Sequence, residues 1–334
     1  MNMLDRFTFA KFRFTIRAEE DIILPTYKGS VFRGGFGYAF KKVVCIQRAG
    51  KECSECLLHE RCVYSYVFET APPEDTERLR LYKTIPHPFV LEPPLTKDRV
   101  VRHGDRISFQ LILIGRAVDY LPYFIYTFTE LGKQGIGKNR SICVLEQVEG
   151  IDTDEKTRII YTGDEEILHN RYPVLDASQL NHTDSQTDSR QIEIRFLTPC
   201  RVRYESKITD AIEFHVLFRN LLRRVSSLYY FHCGRELECD FRSFIEEAMS
   251  IQMVSSTVTW QDWERYSTRQ KETMKLGGVL GSLQYEGNFR PFMQFLRLGE
   301  YIHVGKGTSF GLGQYQINSA KKFDTIKEVP ENEQ

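Results

Sequence analysis

Residues Gly305-Lys306-Gly307-Thr308-Ser309-Phe310-Gly311-Leu312-Gly313, leading into Gln314-Tyr315-Gln316-Ile317, set the reading of the whole chain. Glycine weakens helix and strand interiors, so chains keep it where φ must be positive or where another backbone comes close. A Gly-rich turn ahead of an alternating strand presents bare N–H groups, which suits phosphate or a nucleic-acid backbone, and Lys306 adds a cation at its tip. Spacing excludes three familiar loops. A Walker A loop needs its lysine after the last glycine, and the dinucleotide and kinase loops need a glycine where Phe310 stands. A tight turn without a ligand is the plain alternative.

A weaker echo lies earlier. Leu131-Gly132 leads to Gly135-Ile136-Gly137-Lys138-Asn139-Arg140 and then to Ile142-Cys143-Val144-Leu145, much as Leu298-Gly299 leads to the C-terminal loop. Both copies read helix, Leu-Gly, basic Gly-rich loop, strand, which predicts two similar halves.

The 334 residues suffice for two domains. Basic and acidic side chains balance at 45 each, so a nucleic-acid surface has to be a local patch. The longest apolar run, 107–115, has strand length and contains Gln110, which excludes a spanning helix. The N-terminus lacks a signal-peptide layout, and the expected location is the cytoplasm, where eight cysteines read as reduced thiols or metal ligands.

Residues 7–18 alternate as a strand, with Phe7 and Phe9 on the opposite parity from Phe12, Phe14 and Ile16, which predicts a bulge near Ala10. A helix follows from Gly29, with Phe32, Gly35, Phe36, Ala39 and Val43 as its core stripe. Gly34, Gly35 and Gly37 weaken it by about 1 kcal/mol each, and close approach of another backbone is the expected compensation. Arg33, Gly37 and Lys41 share the other face, solvated or set against phosphate.

Cys45, Cys53, Cys56 and Cys62 then fall within eighteen residues at C-x7-C-x2-C-x5-C, with His59 inside the last interval. The pattern predicts one structural metal in residues 45–62. Zinc suits it best and an iron–sulfur cluster second; unliganded buried thiols are the alternative.

Residues 85–95, with four prolines, read as an extended connection. Residues 107–113 read as a strand, 120–131 as an aromatic helix and 159–161 as a strand. The polar stretch 176–190 is the expected linker. Beyond it come a strand at 192–196, a helical stripe from Phe214 to Leu228, a strand pair at 257–263 and 280–285, and a helix at 292–298. On the stripe helix Arg219 and Arg223 line one face, a basic patch that is equally an ordinary solvated surface. Each half orders itself βαββαβ. The predicted class is therefore α+β, in tandem ferredoxin-like (RRM-like) domains at 1–175 and 190–320, the first with the four-cysteine insertion. The sheet of that fold commonly takes single-stranded RNA.

At this point the chain resembles the CRISPR-associated endoribonucleases that process precursor repeat RNA, the "Cas-six" type of the RAMP superfamily. The likeness is carried by Phe32-Arg33-Gly34-Gly35-Phe36-Gly37 ahead of the cysteines, by Cys62-Val63-Tyr64 with Phe68-Glu69, and by Leu222-Arg223-Arg224. It continues through Tyr266-Ser267-Thr268-Arg269-Gln270, Gly277-Gly278 and Tyr285-x-Gly287 into the closing Gly-rich loop. The resemblance implies cleavage of CRISPR repeat RNA to mature guide RNA. The 2′-OH attacks the adjacent phosphate without metal and leaves a 2′,3′-cyclic phosphate. It implies partners among other CRISPR effector subunits and no membrane.

The family usually employs a histidine, often with tyrosine or lysine nearby. His59 and His232 are the candidate bases, with Tyr27 and Tyr38 as helpers to His59; His303 is expected to face its own core. RNA is assigned to Lys138, Arg140, Arg219, Arg223, Gly305, Lys306, Gly307, Gly311 and Gly313. Two further readings stay open: a RAMP subunit that holds guide RNA without cutting it, and a metal-stabilised RNA-binding module outside CRISPR systems.

Overall fold

The computed structural model describes residues 3–47, 52–70, 85–181, 190–262, 264–267, 272–275 and 277–319. Trp263, Thr268, Arg269 and Gln270, and most of the expected linker (182–189), lie outside them.

The first sheet grows around β1 (Thr8–Ala18). Its neighbours are β2 (Phe89–Glu92), β3 (Arg106–Ile114), β4 (Cys143–Ile151) and β5 (Thr157–Thr162), in the order β2-β3-β1-β4-β5, with every pairing antiparallel. The second sheet grows around β6 (Gln191–Cys200), with β7 (Gln252–Ser256), β8 (Thr259–Gln261), β9 (Gly278–Glu286) and β10 (Tyr315–Ser319). Its order is β7-β9-β6-β10, with β8 continuing beside β9, again antiparallel. Helices α1 (Gly29–Val44) and α2 (Leu121–Gln134) belong to the first half; α3 (Phe214–Cys233), α4 (Phe241–Ala248) and α5 (Met293–Ile302) belong to the second. The described residues form a mixed α+β protein built on these two large antiparallel sheets, with three two-stranded ribbons beside them.

The parity switch at Phe7 and Phe9 has a different cause from the predicted bulge. Pairing of β1 with β3 runs unbroken from Phe9↔Ile114 to Arg17↔Arg106, and the only shift on β1 falls between Thr15 and Ile16, on the β4 side. Phe12, Phe14 and Ile16 pack into the core under α1 and α2. Phe7 and Phe9 join the core of the second half with Ile112 and Ile114, and Phe9 meets Tyr301 at 4.8 Å between ring centroids. Both faces of the strand's beginning are therefore covered.

On α1, Phe32, Phe36, Ala39 and Phe40 are buried, and Phe36 stacks on Phe124 and Phe128 at 5.1 and 4.7 Å. The expected backbone neighbour of its inner glycines is missing. Gly34 faces open space, while Gly35 and Gly37 meet side chains of Leu131, Arg33 and Phe68. Close approach occurs instead at Gly29, where a Cβ would strike Phe310 O.

Residues 89–92 form an edge strand within what was expected to be an extended connection. The prolines flank these four residues, so β2 keeps its N–H groups for β3. Helix α4 and strand β7 were also unforeseen. Asp240 caps α4 by accepting from the amides of Arg242 and Ser243. Among the described residues no helix is long and apolar enough to cross a membrane.

Candidate functional site

The C-terminal glycines are dictated by crowding. Gly305, Gly307, Gly311 and Gly313 all have φ between +72° and +88°. A Cβ on Gly305 would lie 2.5 Å from Arg201 O, one on Gly311 would lie 2.7 Å from Leu91 O, and one on Gly313 would strike Val304 O. The loop is stitched to both halves. Tyr27 Oη donates to Phe310 O at 2.7 Å, Thr198 Oγ1 donates to Gly311 O at 2.7 Å, and the Lys306 amide donates to Arg201 O at 2.9 Å. The amides of residues 310–313 are likewise donated to the protein's own carbonyls, and Gly311 and Gly313 are buried. These glycines shape the turn; an RNA backbone cannot reach the buried pair directly.

What the loop does present is charge. Lys306 is exposed. Partial desolvation first, then the charges of Arg203, Arg201 and Arg223, hold its ammonium below the usual lysine range. Arg223 comes from α3, one turn after Arg219, and both are exposed there. Four cations from the segment after β6, α3 and the loop thus act on one another at one surface. Like charges held together in this way favour an anion.

The earlier Gly-rich loop closes on itself. Ile136 and Ser141 bridge each other, the Lys138 amide donates to Ile23 O, and Asn139 bonds both Ile23 and Asp21. Lys138 and Arg140 point to solvent from a structural turn.

The proposed histidines fare differently. His232 is 4% exposed, and both ring nitrogens are taken, Nδ1 by Tyr66 Oη at 3.0 Å and Nε2 by Pro86 O at 2.9 Å. A carbonyl only accepts, so Nε2 carries the proton and Nδ1 accepts from the tyrosine. Burial pushes this imidazole down to about 4, with Arg116 and Arg224 adding to the shift against the Pro86 bond. It is a strut between the halves with no nitrogen left for a substrate. His59 Nδ1 lies 2.8 Å from Cys53 O and 3.1 Å from Ser65 Oγ, within the cysteine segment. Tyr27 is committed to Phe310 O, and burial raises its phenol far above the usual range. Tyr38 is 65% exposed, with Lys42 over its ring at 4.5 Å. His303 is fully buried between Leu312 O and Glu92 Oε1, 2.8 Å from the carboxylate, and faces the core as expected.

Cys45, Cys53, Cys56, His59 and Cys62 line one small cavity of about 30 Å³ with Lys41 and Tyr64. None of residues 52–62 is buried, so this segment has no apolar core of its own. The donor chemistry fits zinc, yet among the described residues no three His, Cys, Asp or Glu side chains are gathered as metal ligands.

Sequence reading passed over His87. It follows Pro86, which accepts from His232, and its ring stacks on Phe89 at 5.9 Å. Arg33 lies over Phe89 and over Phe310 at 5.2 Å each, joining His87's surroundings to the C-terminal loop. Only the position of His87 just before an edge strand hints at a role, and that is weak.

Comparison with known proteins follows the same division. Residues 7–173 match a family model described as an N-terminal domain, and residues 194–315 match the model of the CRISPR-associated endoribonuclease Cas6. An uncharacterized protein of Archaeoglobus fulgidus is 25% identical over 303 residues, which is 89% of this chain and 93% of that one. A Cas6 product complex superposes with a TM-score of 0.56 at 13% identity, covering 93% of this chain and all of the other. Thermus thermophilus Cas6 does so at 0.51 and 13%, covering 93% and 99%. A partial Cas6-RT-Cas1–Cas2 complex gives 0.56 and 13% over 96% of this chain, which spans 48% of that longer one. At such identities the superpositions establish a shared fold.

Proposed function

From the match of residues 194–315 to the CRISPR-associated endoribonuclease Cas6 model and the fold shared with Cas6 structures, we propose that the chain cleaves CRISPR repeat RNA at one phosphodiester to give mature guide RNA. The observation that carries this reading is the cluster of Lys306, Arg201, Arg203 and Arg223 at the Gly-rich loop, an anion-binding surface in a protein of zero net charge. Such a surface recognises the phosphate backbone, and the fold beneath it is the one that Cas6 structures share. We read the two halves as ferredoxin-like domains, 1–175 and 190–320. The common strand order of the two sheets supports that reading.

The reaction on this reading is intramolecular. The 2′-OH loses its proton, attacks the neighbouring phosphorus and expels the 5′-oxygen. Cationic side chains stabilise the extra charge on the phosphorane. The walling-in of His232 favours a second reading, a subunit that holds guide RNA without cutting it. One experiment separates the two: repeat RNA incubated with the protein in EDTA, beside the same RNA carrying a 2′-deoxy group at the cleavage site. Cleavage of the first and survival of the second is the expected outcome. Binding with both RNAs intact establishes the holding role, and cutting of the deoxy RNA excludes 2′-OH attack. Its partners on this reading are the repeat RNA and other CRISPR proteins, in keeping with the Cas1–Cas2 complex named above.

The four cysteines, on our reading, hold a structural zinc ion that stands in for the missing core of residues 45–62, with an iron–sulfur cluster as second choice. Elemental analysis of purified protein should find about one metal equivalent, and Cys53→Ser with Cys56→Ser should remove it and lower Tm. Metal-free protein with unchanged melting, or a double variant that melts like the parent, would end this assignment.

A further inference from the structure

At the junction of the halves lies a buried cation that no carboxylate answers. Arg224 on α3 is 7% exposed. Its Nε donates to Ile302 O at 2.9 Å, while Nη2 is buried without a hydrogen-bond partner. No ion pair to Arg224 exists among the described residues, and burial alone pulls its guanidinium down to about 9. Burying an unpaired charge is costly, so retaining a guanidinium here points to an anion that binds it.

His87 shares this environment and is partly exposed. Its tautomer is fixed by a short chain of bonds. Thr70 Oγ1 donates its one proton to Ile85 O at 3.0 Å, so in its 3.2 Å contact with His87 Nδ1 the threonine oxygen must accept. Nδ1 therefore carries the hydrogen, and Nε2 keeps a lone pair with no partner among the described residues. This is the arrangement a general base requires, a ring oriented through one nitrogen and open at the other. His232, whose Nε2 donates to the carbonyl of neighbouring Pro86, has neither nitrogen open.

We propose that His87 is the general base of the RNA cleavage reaction and that Arg224 binds the scissile phosphate beside it. The inference rests on the cleavage reading given above. In the step, His87 Nε2 takes the proton of the 2′-OH, O2′ bonds to phosphorus, and the P–O5′ bond breaks. The leaving 5′-oxygen takes a proton from water, and the imidazolium returns its own to solvent. No oxidant, metal or further reactant is needed. Burial first, then Arg33, Arg224 and His232, push the imidazole down to about 3 in the free protein. A phosphate anion set against Arg224 offsets that repulsion, so the base strengthens when RNA is in place.

The test is single-turnover cleavage of repeat RNA at saturating protein, with affinity for the 2′-deoxy RNA measured alongside. His87→Asn keeps an N–H for Thr70 and lacks the base; its rate should fall on the order of 10² to 10⁴, with affinity within about twofold of the parent. Added imidazole should restore part of the rate to His87→Ala, which a merely structural histidine would not allow. Arg224→Met should weaken binding of the deoxy RNA about tenfold or more, and Arg224→Lys less. Thermal unfolding without RNA shows that each variant is folded, and a misfolded Arg224→Met is replaced by Arg224→Gln. A parent that cleaves and a His87→Asn variant that cleaves equally fast overturn the base assignment alone. A parent that binds repeat RNA and never cuts it overturns the cleavage reading, and the base assignment with it. Unchanged affinity in folded Arg224 variants overturns the phosphate contact.

Discussion

Residues 135–140 and 305–313 both follow a helix ending near Leu-Gly and both lead into a strand, but they occupy different worlds in the folded chain. The first returns to its own base through Ile136 and Ser141 and leans on Ile22 and Ile23 of the same half. The second is wedged between halves, with Leu91 and Pro93 on one side and Thr198 and Arg201 on the other. Its position also gathers arginines from distant parts of the chain around Lys306. Sequence similarity set the backbone shape of each turn, whereas long-range contacts set what each turn can bind.

The sharpest way to break this comparison is at the glycines. Gly313→Val places a β-branched side chain at φ +72° against Val304 O and should cost about 3 kcal/mol or more of stability by denaturant unfolding. Gly137→Val is also strained, near Ile23 O at 2.6 Å, but disturbs one half only, so RNA affinity should survive it. If Gly137→Val weakened RNA binding as much as Gly313→Val, the two loops would be equivalent after all.

A second contrast concerns protons. The junction under the C-terminal loop contains His232, whose folded value near 4 lies below the ordinary 6.5 of an unfolded chain. Between those values the unfolded state binds more protons, so this contribution to stability is complete above pH about 6.5 and is lost as pH falls toward 4. The slope is at most about 1.4 kcal/mol per pH unit for one histidine. His232→Gln should flatten the acid limb of Tm against pH. An unchanged limb would place the acid sensitivity elsewhere.

The smallest effect sharpens the comparison most directly. Lys306→Ala should reduce the salt dependence of RNA binding by about 0.7 in log–log slope, one phosphate contact on a single strand. Lys138→Ala should change it less, because the cluster around Lys306 has no counterpart at the first loop. Equal changes would restore Lys138 and Arg140 to the RNA surface.

The sequence by itself determined the local periodic features of this protein. Alternation fixed β1, β3 and β6, helical stripes fixed α1, α2 and α3, and glycine spacing marked both turns, because each signal arises within a few residues. The likeness to Cas6 was legible in the same way, from short motifs spread along most of the chain, and the Cas6 model matches residues 194–315. Strand β2 escaped notice because its four residues sit among prolines and gain their identity only from pairing with β3. The parity switch at Phe7 and Phe9 was visible but misread, since its cause is the core of the other half. Only the tertiary structure shows which histidine nitrogens are already engaged. His232 loses both nitrogens to Tyr66, 166 residues earlier, and to Pro86, 146 residues earlier, while His87 keeps one nitrogen open through Thr70. Hydrogen-bond satisfaction and the electrostatics of buried charge depend on which distant groups meet, and spacing along a chain does not contain that information.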